Sequence, residues 1–315
     1  MAKEKLRVVI LGSAGQVGSE LLSAEVAIEA SMSEAVFIGF ARNELDITHL
    51  DGVKLALAEI APDWVVNAAA YTAVDKAESD SEGAYAVNAI GPGVLAEICD
   101  ELGSRLIHIS TDYVYSGDGD AVLQEVDAVG PTGVYGASKL AGEYLVGANC
   151  KEHLILRTAW VFGTAGNNFV KTMLRLGAER SELSIVADQW GGPTSARAIA
   201  VVILTIIKRF QALEAEGQSL EQFWGIYNFS GMPHVTWAEF AKSIFETATS
   251  MGLLASKPDI REIRTEDYPT LAKRPKNSRL SNTKINETFD IEPDDWRASL
   301  ADVLREVGSV RASTQ

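Results

Sequence analysis

The sequence predicts an α/β fold: a Rossmann-like, doubly wound parallel sheet joined to a smaller, mostly C-terminal second domain. Three observations predict it. Short apolar, β-branched runs alternate with helical patterns through the first half of the chain. The first of those runs passes straight into a glycine-rich turn that opens a helix. The alternation then breaks down after Phe162, where another pattern begins.

The opening strand is Leu6-Arg7-Val8-Val9-Ile10-Leu11. It leads into Gly12-Ser13-Ala14-Gly15-Gln16-Val17-Gly18, with an apolar-spaced helix following through Leu21 and Leu22. The spacing is GxxGxxG instead of GxGxxG, but the physical demands are alike. Gly12 permits a tight turn, Gly15 lets the backbone approach a pyrophosphate, and Gly18 lets the helix pack closely on the strand. Free N–H groups at the helix start suit phosphate. Further strands are expected at 35–40, 64–67, 105–110 and 154–157, with helices between them. That order implies parallel pairing through right-handed crossovers.

The fourth run, Ile107-His108-Ile109-Ser110-Thr111-Asp112-Tyr113, ends in hydroxyls. In open α/β sheets the ligand crevice lies at the carboxyl ends of strands, which puts Thr111 within reach of a substrate oxygen. Gly133-Val134-Tyr135-Gly136-Ala137-Ser138-Lys139 follows. Tyr135 and Lys139 stand i,i+4, about 6 Å apart at Cβ on one helical face. A nearby cation favours the ionised form of a phenol, so this pair suits proton transfer to or from a carbonyl or alcohol oxygen. The glycine turn, Thr111 and the Tyr135/Lys139 pair together read as a hydride-transfer site.

Past Phe162, residues 164–194 read as loop-rich and Ala196 to Phe210 as a strongly apolar helix. Gly225 to Gly231 reads as a short returning strand. Trp237 to Met251, a Pro/Lys/Arg-rich segment at 257–280 and a final amphipathic helix fit a smaller lid.

Bulk properties narrow the function. The 315 residues allow one or two domains, and 47% apolar content supports a full core. A net charge of −15 argues against nucleic-acid or anionic-membrane partners. Cys99 and Cys150 form no disulfide or metal pattern, and His49, His108, His153 and His234 lack metal-ligand spacing, so no metal site is expected. The first apolar run is too short for a signal peptide, and none reaches the length of a membrane span. A soluble, cytoplasmic protein is expected.

The motifs resemble the dTDP-4-dehydrorhamnose reductase family of the extended short-chain dehydrogenases/reductases. The resemblance runs through Gly15-Gln16-Val17-Gly18, Leu45-Asp46-Ile47-Thr48, the stretch Val66 to Glu78, Ser110 to Val114 and Val134 to Glu143. It continues through Leu156 to Gly163, Asp188 to Thr194 and Arg274 to Leu280. It implies NAD(P)H-dependent reduction of the C4 ketone of a dTDP-4-dehydro-6-deoxy sugar, to make a precursor of cell-surface polysaccharide. It places Asp46 and Ile47 on the adenine-ribose side and Ala69, Ala70 and Tyr71 along the cofactor. Tyr135 gives the proton, Lys139 lowers the phenol pKa and holds the nicotinamide ribose, and Thr111 donates to the same oxygen. Asp112 and Trp160 contact substrate, while Arg274, Lys276 and Arg279 offer cations to the diphosphate. Crossings between lobes imply a cofactor domain of residues 1–160 and 197–232 and a substrate domain of residues 161–196 and 233–315.

The second strand ends in Ala41-Arg42, without the carboxylate that usually binds a ribose 2′-hydroxyl. A guanidinium suits a 2′-phosphate, so NADPH is expected over NADH, with NADH still possible. Tyr113 stands where related dehydratases carry a glutamate, which argues against dehydration. Glu20 matches one carboxylate of a subunit-bridging magnesium site in the family, but Arg197 replaces another, leaving a metal-free monomer or a different homodimer. Two alternatives stay open: another nucleotide-sugar epimerase or reductase, and a non-catalytic NADP-binding subunit like the regulatory subunit of methionine adenosyltransferase.

Overall fold

The computed structural model describes residues 5–313. Six parallel strands form the central sheet: β1 (Arg7–Leu11), β2 (Val36–Phe40), β3 (Trp64–Asn67), β4 (Arg105–Thr111), β5 (His153–Thr158) and β6 (Gly225–Asn228). Their spatial order is β6-β5-β4-β3-β1-β2. The chain leaves β1 toward β2 and returns to β3 on the other side, so the order reverses between β1 and β3, where such sheets open a ligand crevice. Val8, Val9 and Ile10 are wholly buried, as are Val65 and Val66, because both faces of the sheet are covered.

On one face, α1 (Gln16–Leu21) and α6 (Ala196–Ala215) pack Leu21, Ile199, Ile203, Ile207 and Phe210 against Val8, Ile10 and Trp64. On the other, α2 (Leu50–Ile60) and α3 (Gly91–Leu102) pack Val53, Leu57, Leu95 and Cys99 against Val9, Leu11 and Val65. This is the doubly wound α/β architecture. Cys99 and Cys150 are both buried free thiols in this second layer.

A separate core joins α5 (Phe169–Glu179), α7 (Trp237–Ser250) and α8 (Trp296–Ser313) around Val170, Leu174, Phe240, Phe245 and Trp296. The stretch expected to be loop-rich therefore contains a helix, and also a strand, Glu182–Val186, paired in parallel with Asp259–Ile263. The helix forms because Val170, Met173 and Leu174 share one face and the Asn168 side chain caps the Lys171 N–H. Helix α6 runs five residues beyond the expected Phe210, since Leu213 is still buried. Among the described residues no helix is long and apolar enough to cross a membrane.

Candidate active site

Glycines bring the cleft together at the strand reversal. Gly12 follows β1 with φ +81°, and a Cβ there would come within 2.6 Å of the Ala69 amide nitrogen beyond β3. Gly18 lies so close to the turn that a Cβ would meet the Gly12 carbonyl at 2.2 Å. Gly15 is exposed, and a Cβ there would meet only the Gly12 carbonyl within 4 Å, leaving its other side open. Val17 is buried in the core, while the Gln16 Oε1 accepts from Asn168 Nδ2 at 2.9 Å and so ties the turn to the start of α5.

Helix α4 (Val134–Asn149) carries the Tyr/Lys pair. Its first N–H groups need partners, and Glu78 reaches across to accept from Val134 N at 2.8 Å. The helix then presses on its neighbours through glycines. A Cβ at Gly136 would strike the Tyr113 carbonyl at 2.2 Å, and one at Gly142 the Asn88 carbonyl at 2.0 Å. This close approach seats Tyr135 beside the end of β4. There the Thr111 hydroxyl hydrogen-bonds Tyr135, and the Tyr113 ring meets the Tyr135 ring edge-on with centroids 5.4 Å apart. A π-helical turn, Ala86–Ile90, holds Asn88 against α4. Asn88 accepts from Tyr71 N and donates to the Tyr71 carbonyl and to Ser138 Oγ.

Lys139 is buried, and its Nζ does not turn to the phenol. It donates to the Ile109 carbonyl at 2.7 Å and sits 3.1 Å from His108 Nε2. Burial pulls its pKa down to about 8 against the charge of Glu143. Burial also pushes Tyr135 up to about 12, opposed by the Thr111 bond and reinforced by Asp112. In the cofactor-free structure burial is thus the leading influence on the phenol, in the direction opposite to the acidification expected from Lys139.

Thr111 sits among several partners at the end of β4. Its Oγ1 donates to Asp112 Oδ1 at 3.0 Å and accepts from Tyr113 N at 3.2 Å. Its rotatable proton can go to Asp112 or to the phenol oxygen, and donation to the phenol is the sense in which Thr111 lowers the Tyr135 pKa. Asp112 is buried, and desolvation raises its pKa to about 6 despite bonds from Ser278 and Thr111.

The remaining expected residues divide. Arg42 is 82% exposed at the end of β2, with Nε on Asp46 Oδ2 at 3.0 Å. Asp46 also takes both donors of Thr48, and these bonds outweigh its burial and hold the carboxyl below its usual range. Ile47 is a core residue beside Val53 and Leu57. Ala69 and Ala70 flank the Gly12 turn, Ala70 exposed. The Tyr71 hydroxyl donates to Asp80.

Trp160 has φ +47° and stacks flat on Trp237 with centroids 3.5 Å apart, so one indole face is covered. Arg274 donates to Asp75 Oδ2 at 2.6 Å and lines a cavity of about 630 Å³ with Tyr113, Phe169, Met173, Trp237 and Thr270. Tyr113 links that cavity to Tyr135. Lys276 instead pairs with Asp188 and Glu266, and Arg279 binds Asn277 and the Asp120 carbonyl. Arg197 pairs with Glu25, and no cluster of three metal-binding side chains occurs among the described residues.

Sequence reading did not single out His108 and Asn67, which lie under Lys139 inside the sheet, or the Glu143–Arg157 pair behind it. For Asn67, His108 and Arg157 the signal is a polar side chain within an otherwise apolar strand, while Glu143 stands on helix α4.

The RmlD substrate binding domain family matches residues 6–309. A dTDP-4-dehydrorhamnose reductase of Aggregatibacter actinomycetemcomitans is 42% identical over 297 residues, spanning 94% of this chain and 98% of that protein. The enzyme of the same name from Escherichia coli K12 is 38% identical, spanning 98% of this chain and all of the relative. The solved dTDP-4-dehydrorhamnose reductase of Bacillus anthracis, in complex with NADP, superposes with a TM-score of 0.84 at 35% identity, covering 96% of this chain and 100% of that one. With a six-stranded Rossmann-like sheet, a glycine turn at its reversal and near-complete overlap with these relatives, the chain belongs to the RmlD family of dTDP-4-dehydrorhamnose reductases, within the extended short-chain dehydrogenases/reductases.

Proposed function

We propose that this NAD(P)H-dependent oxidoreductase reduces the C4 ketone of dTDP-4-dehydro-L-rhamnose to dTDP-L-rhamnose, with Tyr135 giving the proton. The names of the relatives support the substrate, and the NADP complex of the Bacillus anthracis enzyme supports the cofactor class. The observation that carries the reading is the hydroxyl pair Tyr135–Thr111 at the carboxyl end of β4, beside the cavity wall formed by Tyr113.

The residues fit a dinucleotide. The turn at Gly12, Gly15 and Gly18 has no room for side chains on its inner side and is open at Gly15, as a pyrophosphate cradle requires. Gln16, Val17, Asp46, Ile47, Ala69, Ala70 and Tyr71 border it in our reading. A reduced nicotinamide, when bound, supplies the hydride. Arg42 favours NADPH: its guanidinium projects into solvent, while the nearby Glu44 carboxylate is occupied by the Ala41 N–H.

At the carbonyl, Tyr135 holds a proton at neutral pH and releases it to a nascent alkoxide, a far stronger base than a phenolate. Such positioned acid catalysis contributes about 10²–10⁴-fold. Thr111 fixes the phenol's direction through its hydroxyl, and Lys139 borders the nicotinamide ribose. Arg274, with Lys276 further out, attracts the diphosphate, and Trp160, braced by Trp237, borders the sugar with Asp112 behind it. The enzyme acts in the cytoplasm on a small nucleotide-sugar substrate, as a monomer or homodimer.

The test is consumption of NADPH when dTDP-4-dehydro-L-rhamnose is added, with the C4 configuration of the product read by NMR. Absence of cofactor oxidation would leave the non-catalytic binding role, and NAD retained tightly through purification would favour an epimerase.

A further inference from the structure

A buried polar chain runs beneath the active helix. Asn67 at the end of β3 and His108 in β4 are both wholly buried, and Lys139 is nearly so. Asn67 Oδ1 accepts the Ala69 backbone N–H at 3.1 Å, which fixes which way the amide faces. Its Nδ2 therefore points at His108 Nδ1, 3.0 Å away. An amide N–H can only donate, so Nδ1 must be the accepting, unprotonated nitrogen. A neutral imidazole then carries its proton on Nε2, which faces Lys139 Nζ at 3.1 Å. Two donors cannot face each other without loss, and an ammonium has no lone pair to accept with.

We propose that the Asn67–His108 pair is a positioning device that favours the neutral amine of Lys139 over the ammonium in the cofactor-free protein, with His108 donating its Nε2 proton to Lys139 Nζ. The two amine hydrogens of Lys139 remain, one for the Ile109 carbonyl and one for the cleft. Facing Lys139 are His108 from β4 and Glu143 from its own helix, whose carboxylate is bound by Arg157 from β5; His153 lies behind His108. Burial works in the same direction, lowering both Lys139 and His108.

Charging Lys139 then requires the chain to reverse. The Nε2 proton passes to Nζ, Nδ1 takes one proton from solvent, and Asn67 must turn its amide to accept from Nδ1. That turn deprives the Ala69 N–H of its acceptor, and Ala69 is the backbone against which Gly12 packs. The charge on Lys139 is thus coupled to the floor of the glycine turn.

Two NMR measurements on the cofactor-free protein test this without turnover, so their failure is distinct from failure of the reductase reading. With 15N-histidine, His108 should show the Nε2–H tautomer at about pH 9, above the Lys139 midpoint. With 13Cε-lysine, the Lys139 signal, assigned by its loss in Lys139→Arg, should titrate well below the other lysines. His108→Gln, whose amide oxygen can turn to accept from an ammonium, should raise that midpoint by about one pH unit. An Nδ1–H tautomer, or a midpoint unmoved by His108→Gln, would overturn the proposal. Should the variant not fold, the tautomer alone decides.

Discussion

Replacing Glu143 by Ala removes the carboxylate that anchors the back of the site. Glu143 is buried and receives three hydrogen bonds from Arg157, at 3.0, 3.2 and 2.6 Å, and a further one from Ser110. It thereby joins α4 to β5 and β4 at once. Burial is what sets the magnitude: both side chains are at most 3% exposed, so neither charge can recover hydration when its partner leaves. Breaking such a pair costs about 3–5 kcal/mol, against roughly 0–1 for an exposed one. Arg157 keeps a bond to the Tyr115 hydroxyl at 2.8 Å and lies over that ring, which argues for the lower end, about 3 kcal/mol.

Urea unfolding of the wild-type chain, Glu143→Ala and the double variant Glu143→Leu/Arg157→Met provides the assay. The single substitution should lose about 3 kcal/mol, a large share of the 5–15 that an ordinary domain has. The double variant should recover most of it, because the cost lies in the stranded guanidinium more than in the lost attraction. A single-variant loss under about 1 kcal/mol, or a double variant no better than the single one, would refute this account of the pair.

Tyr135→Phe should lower kcat about 10²–10⁴-fold with little change in KM, and turnover within a few fold of wild type would remove Tyr135 as the proton donor. For Asp112, the folded pKa of about 6 lies above its ordinary 3.8, so the folded state binds the extra proton between those values and stability falls as pH rises through that window. The difference is ~3 kcal/mol. Asp112→Asn should remove that slope in unfolding measurements from about pH 4 to 7, and an unchanged slope would refute it. Arg42→Ala should raise the KM for NADPH about tenfold, the worth of a solvent-exposed charge-assisted contact, and leave that for NADH nearly unchanged. Equal effects on both cofactors would place Arg42 away from the 2′-phosphate.

The sheet was legible because strands buried on both faces are written as unbroken apolar runs; each of the first five lies within one or two residues of its expected span. The glycine turn was legible for a related reason, since Gly12 and Gly18 meet backbone where any side chain would collide. Helix Phe169–Glu179 was hidden behind the glycine and asparagine residues that precede it, although Val170, Met173 and Leu174 carry the helical period. At the site, spacing put Tyr135 and Lys139 on one helical face but could not say where a flexible amine turns. That depended on His108, which from sequence is one more residue of an apolar strand, and on the Ile109 carbonyl. Trp160 meets Trp237 only through tertiary folding, and no local pattern announces the contact.

The opposite shifts of Tyr135 and Lys139 have one cause and one chemical consequence. Burial raises an acid that would become negative and lowers a base that would become positive, so both groups are driven toward neutrality. A phenolate–ammonium pair, the arrangement that abstracts a proton from an alcohol, is therefore disfavoured in the cofactor-free site. A protonated phenol is favoured, and ketone reduction calls for that form at the start of the step. The Thr111 contact works the other way, lowering the phenol pKa, and burial with the charge of Asp112 outweighs it. The environment of these side chains thus favours the protonated phenol from which the proposed reduction starts, where the Tyr-x-x-x-Lys spacing alone permits either state.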